Sequence, residues 1–180
     1  MKLINYITLV TCAVVLSCCS NGSASDNKAE NASNNGASPV NIDTPADPKM
    51  RSQALGILDH RIKNYPDTYA VVEAGVLNYE FVHNGREISK IGAYAGSWID
   101  FKRDFTYDYG KYDVVNGSGR YHFRTDINQL VMIDNNKAQN PQEWNVKIGG
   151  DVLILVGTTT YGNNAYQMKL QRSDNKPVKQ

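Results

Sequence analysis

The spacing of apolar residues changes once along this chain, from helical to alternating, and the change follows Tyr65. Ala54, Leu58, Arg61, Ile62 and Tyr65 recur at helical spacing, with Leu55 and Ile57 beside them. Asp47 can cap this helix and Pro48 suits its first turn, because an N-cap carboxylate accepts from free amides and proline lacks one. Pro66 ends it, and Gly56 weakens its middle. The helix is expected to lie across a sheet or to close one end of it.

Beyond it the chain reads as short strands. Residues 76–83 run into Asn84-Gly85, a strong hairpin signal, with a return strand over 86–91. Residues 96–101 lead through a turn at 102–104 into a strand over 105–113, where Phe105, Tyr107 and Tyr109 share one face. Asn116-Gly117-Ser118-Gly119 reads as the next turn, after which Tyr121 and Phe123 face opposite to Arg120, His122 and Arg124. A turn at 125–128 leads to 130–133, and a polar loop spans 134–142. Trp144, Val146 and Ile148 alternate with polar residues, Gly149-Gly150-Asp151 turns, and 152–158 is apolar on both faces. Tyr166, Met168 and Leu170 close the series. About eight short, evenly spaced strands predict an all-β antiparallel meander closed as a small barrel, since a flat sheet would leave long exposed edges.

The amino end follows different rules. Met1-Lys2, an apolar run over 3–16 and Ser17-Cys18-Cys19-Ser20 have the three parts of a secretory signal. The run is interrupted by Asn5, Thr8 and Thr11 and is short for a membrane span. Val15-Leu16-Ser17-Cys18 resembles the lipobox of bacterial lipoproteins, which implies acylation at Cys18 by palmitate-type chains; Cys19 is the alternative register. Residues 20–47 are dominated by Ser, Asn, Ala, Gly and Asp, a composition that does not bury enough surface to offset its ordering entropy. The expected organisation is a signal peptide over 1–17, a lipidated cysteine and disordered linker over 18–47, and a β domain with a leading helix over 48–180.

All three cysteines lie before residue 20, so the domain has neither a disulfide nor a cysteine-based zinc site. A formal net charge of +1 argues against nucleic acid as a partner.

The stretch from Gly96 to Arg172 resembles the lipocalin-like domains of lipoproteins of the Bacteroidota. The residues that carry the likeness are Gly96-x-Trp98, 101–107, Tyr109-Gly110-x-Tyr112 and Gly119-x-Tyr121-x-Phe123, then Leu130-x-Met132-x-Asp134, Trp144-x-Val146, Gly150-Asp151-x-Leu153-x-Leu155 and Met168-x-Leu170-x-Arg172. It departs in one respect: lipocalins proper carry Gly-x-Trp in the first barrel strand, whereas two predicted strands precede Gly96 here. The resemblance implies a small barrel able to hold an apolar or amphipathic ligand, in a protein tethered through its lipid to the cell envelope, at the outer membrane.

The inventory for catalysis is thin, and no enzyme activity is expected. His60, His83 and His122 lack metal-pair spacing and read as solvated polar residues. Asp100, Asp104 and Asp108 read as hairpin chemistry. No cofactor or metal is expected. The remaining candidates are Trp98, Tyr107, Tyr109, Tyr121, Phe123, Trp144, Tyr166 and Met168, either as core or as the lining of a ligand cavity. Two roles compete: a binding module for a small hydrophobic ligand, and an envelope protein-interaction module that uses the loops at 134–142 and 161–164.

Overall fold

The computed structural model describes residues 45–66, 75–85, 88–89 and 92–179. The expected signal peptide, Cys18 and nearly all of the expected linker lie outside the described residues. Helix α1 runs Pro48–Asn64. Eight strands follow: β1 Val76–His83, β2 Ser97–Phe101, β3 Thr106–Lys111, β4 Val114–Arg124, β5 Gln129–Asp134, β6 Gln142–Gly149, β7 Val152–Gly157 and β8 Gln167–Ser173. Each pairs antiparallel with its neighbour in sequence, and β1 pairs with β8, so the sheet is a closed barrel. Closure removes both free edges, and the predicted all-β barrel with one helix is what forms.

Alternation along the strands sorts two faces. Leu77, Ile99, Phe101, Tyr107, Tyr109, Tyr121, Phe123, Leu130, Met132, Trp144, Val146, Leu153, Leu155, Met168 and Leu170 point inward as one cluster. Each such side chain contributes about 1.5–3 kcal/mol by leaving water. The opposite face of β5, Val131 and Ile133, packs against Ala54 and Leu58 of the helix and Tyr161. The helix thus lies along the outer wall and closes neither end.

The helix begins where expected: Asp47 Oδ1 accepts from the Lys49 amide at 2.8 Å, with Pro48 in the first turn. Asn140 fastens that start to the barrel, its Oδ1 accepting from Asp47 N at 2.9 Å and its Nδ2 donating to Pro45 O at 3.2 Å. At the other end the Tyr65 amide donates to Arg61 O. The helix therefore runs from the end of the barrel that carries the connections 112–113, 135–141 and 158–166 (the upper end) toward the end with the turns 102–105, 125–128 and 150–151.

β1 pairs with β2 and β8. Of the expected return strand over 86–91, Ile88 bridges His83 and Ser89 N donates to Val82 O at 2.9 Å, while 86, 87, 90 and 91 lie outside the described residues. Three local expectations are corrected. Asn116 to Gly119 form no turn and lie inside β4; the turn falls at 112–113, with Tyr112 at φ 53. The reason is steric. Gly117 and Gly119 pair with Tyr109 and Tyr107, whose rings lie where a side chain would stand; a Cβ on Gly119 would sit 2.6 Å from the Tyr107 ring. Phe105 does not share the face of Tyr107 and Tyr109: it occupies the β2–β3 turn at φ 63 and stacks on His122. Finally, the loops expected as exposed partner surfaces are partly built into the fold, since Asp134, Asn140, Gln142, Tyr161 and Asn163 are buried.

The aspartates at the β2–β3 hairpin serve the turn. Asp104 Oδ1 accepts from Thr106 N at 3.0 Å and from Thr106 Oγ1 at 2.6 Å, and Asp108 pairs with Lys102.

Candidate functional site

The interior differs between its ends. Toward the lower turns it holds Phe101, Phe123, Leu130, Val146 and Leu153, and the Tyr121 hydroxyl donates to Lys102 O at 2.8 Å, sealing that end. Toward the upper connections it gathers Tyr79, Tyr107 and Tyr109, with Tyr94 and Tyr166 packed on the cluster from the rim. The rings of Tyr79 and Tyr94 lie 6.0 Å apart, and those of Tyr107 and Tyr109 6.3 Å apart. Gln142 pairs with inward-facing Met132, and Asp134 pairs with Gly119, so both stand on the inner face of the upper wall.

Electrostatics follow from burial. Desolvation raises the phenol pKa of Tyr79, Tyr107 and Tyr109 well above the ordinary value; Tyr94 and Tyr109 add to it at Tyr79, Asp134 with Tyr109 and Tyr79 at Tyr107, and Asp134 at Tyr109, so all three remain hydroxyls. Burial also lifts the Asp134 carboxyl above the usual range, against the pull of the Asn136 amide, the Tyr109 hydroxyl and Arg51. Asn136 N donates to Asp134 Oδ1 at 2.7 Å, and Arg51 donates to the Asp134 main-chain oxygen. The upper interior is therefore apolar walls with hydroxyl groups and one carboxyl set among them.

Six of the eight residues expected to line a cavity, Tyr107, Tyr109, Tyr121, Phe123, Trp144 and Met168, meet inside the barrel; Tyr166 packs on them from the rim. Trp98 does not join them. It faces outward between Ile99 and the rest of β2, its Nε1 donating to Tyr112 O at 2.7 Å, with Gly110 beneath its ring and Lys176 Nζ 3.9 Å from the ring centroid. Tyr79, Tyr94, Gln142 and Asp134 went unnoticed as lining residues. For Asp134 a signal existed: Leu130, Met132 and Asp134 share a face by alternation, so a carboxylate on the inner wall was readable.

His122 corrects a further expectation. It is on the outer face, as alternation requires, yet it is 0% exposed because the end of α1 covers it. Its Nε2 donates to Tyr65 O at 3.0 Å. Burial holds the imidazole pKa below its ordinary 6.5, Arg61 and Arg124 push the same way, and the Tyr65 carbonyl pulls against them. The unfolded chain therefore takes up this proton first. Stability attributable to His122 is complete above about pH 6.5 and fades as the pH falls below it. Urea midpoints are expected to drop between pH 7.5 and pH 5, and His122→Gln to flatten that drop; an unchanged slope in the variant would remove His122 as its source.

A concave feature of about 570 Å³ runs outside the barrel along α1 between Ile57, His60, Tyr65 and Arg124. Among the described residues no three His, Cys, Asp or Glu side chains converge as metal ligands, and no helix is long and apolar enough to cross a membrane.

No known family profile matches the chain, and no curated protein does. Among solved structures, a DUF4847 family protein from Bacteroides vulgatus superposes with a TM-score of 0.43 at 9% identity, over 59% of this chain and 97% of the other.

Proposed function

We propose that this chain is a lipid-anchored envelope protein, without enzymatic activity, whose lipocalin-like barrel takes up a small amphipathic molecule at its upper end. One observation carries the reading: tyrosine hydroxyls and a buried carboxyl collect at one end of an otherwise apolar interior, while Tyr121 and short turns seal the other. Binding sites for small molecules combine apolar walls with a few placed polar groups in this way. Trp144 lies inside the barrel, so occupancy is expected to quench its fluorescence. Titrating the purified chain with fatty alcohols, sterols, haem and glycans tests the reading; saturable quenching with a rise in melting temperature supports it, and silence across the panel ends it.

The anchor rests on the lipobox-like Val15-Leu16-Ser17-Cys18. Growth with an alkyne-tagged palmitate is expected to label the protein, with the label lost in Cys18→Ser and kept in Cys19→Ser. The opposite pattern would move the acylated residue to Cys19.

A second reading, docking of an envelope protein at the same end, is favoured by Val114 and Val115, which are 57% and 52% exposed beside the β3–β4 turn. Capture from solubilised envelopes that is lost in Val114→Lys would support it.

A further inference from the structure

The barrel interior contains a polar group that the fold leaves unanswered. Trp144 is 0% exposed, and no acceptor among the described residues bonds its Nε1. A buried donor is costly when unpaired, and the other buried indole, Trp98, has its acceptor in Tyr112 O. Trp144 enters the interior opposite Leu130, while Asp134 stands four residues further up β5, about 13 Å along the strand. An indole N–H inside and a carboxyl at the rim are thus two fixed points of opposite hydrogen-bonding character on one wall.

Arg51 and Lys111 are cations near this wall. Arg51 donates to the main-chain oxygens of Asp134 and Gln139. Lys111, which alternation puts on the inner face, is the last residue of β3 and half-buried at the rim. An anionic head brought down to Asp134 would meet a second carboxyl in a desolvated setting, which disfavours it.

We propose that the barrel interior selects a neutral or cationic amphiphile: its head donates hydrogen bonds to Asp134 near the upper rim, and an oxygen further down its chain accepts from Trp144 Nε1. This rests on the reading of the barrel as a binding module and adds the class of ligand.

The test uses the full chain and four probes of matched length: decylamine, decanol, decanoate, and the amine in which one methylene in the half of the chain far from the head is replaced by oxygen. Decylamine and decanol are expected to bind at least about tenfold more tightly than decanoate, and the ether amine several-fold more tightly than decylamine. Asp134→Asn should shrink the gap between amine and decanoate to less than about threefold, because only the carboxyl's charge is removed. Trp144→Phe should abolish the advantage of the ether; if that variant does not fold, the ether comparison on the unaltered protein decides the same point. Equal or tighter binding of decanoate overturns the selectivity while leaving a binding barrel intact. Binding of none of the four overturns both.

Discussion

Gly110→Ala is expected to destabilise the barrel by about 3 kcal/mol, although it adds one methyl group. A Cβ at Gly110 would stand 2.6 Å from the Trp98 ring and closer still to the main-chain oxygen of Val114. The ring cannot move aside, because its Nε1 is bonded to Tyr112 O and Lys176 lies over its face. The Val114 oxygen cannot move either, since Val114 pairs with Lys111 next to a two-residue turn. Gly119→Ala meets the same obstacle from Ile133 O and the Tyr107 ring. Gly149→Ala is the control: nothing lies within 4 Å of its Cβ, and the change is expected to be neutral or to stabilise by about 0.5 kcal/mol through the unfolded chain. Denaturant titration of the three variants separates these outcomes. Equal midpoints for Gly110→Ala and Gly149→Ala would mean that the close packing on β3 carries no weight.

Arg61→Met is expected to cost about 3 kcal/mol, more than the loss of one surface ion pair, because of what it leaves behind. Glu143 begins the outer face of β6 with its side chain 8% exposed, and Arg61 Nη2 lies 3.8 Å from its Oε2. Its Oε1 accepts from Thr158 Oγ1 at 2.9 Å and from Thr160 Oγ1 at 2.5 Å. Removing the guanidinium leaves a buried carboxylate with hydroxyl partners alone, and also removes the 2.7 Å bond from Arg61 Nη2 to Gln129 Oε1. The double variant Arg61→Met/Glu143→Gln should regain at least about half of the loss, since the uncompensated charge is gone. Strictly additive losses in this cycle would show that Arg61 and Glu143 do not stabilise each other across the contact between helix and barrel.

These two sites mark the border of what the sequence made legible. Helix α1 was readable because its cap, its proline and its apolar spacing are local and agree. Strand alternation likewise put Tyr107, Tyr109, Tyr121, Phe123, Trp144 and Met168 on one wall. The same parity set Trp98 opposite to Ile99 and Phe101, and only grouping it with the other aromatics obscured that. Asn116-Gly117-Ser118-Gly119 was misread because turn chemistry and ring accommodation use the same residue type; which of the two applies depends on Tyr107 and Tyr109, a strand away. His122 was assigned to the correct face with the wrong exposure, because nothing local tells which strand a helix will cover. The network of Arg61, Glu143, Thr158 and Thr160 joins three elements distant in sequence, so no motif announces it.

Asn140 ties the stretch from Pro45 to Asp47 to the connection after β5. The polypeptide consequently enters the domain at the upper end of the barrel, while the lower turns point away. If the amino terminus is moored to a bilayer and the barrel takes up a ligand at its upper end, shortening the leash would tilt that end toward the lipid headgroups, and lengthening it would let it turn to bulk fluid; spacer length would then set where cargo is exchanged.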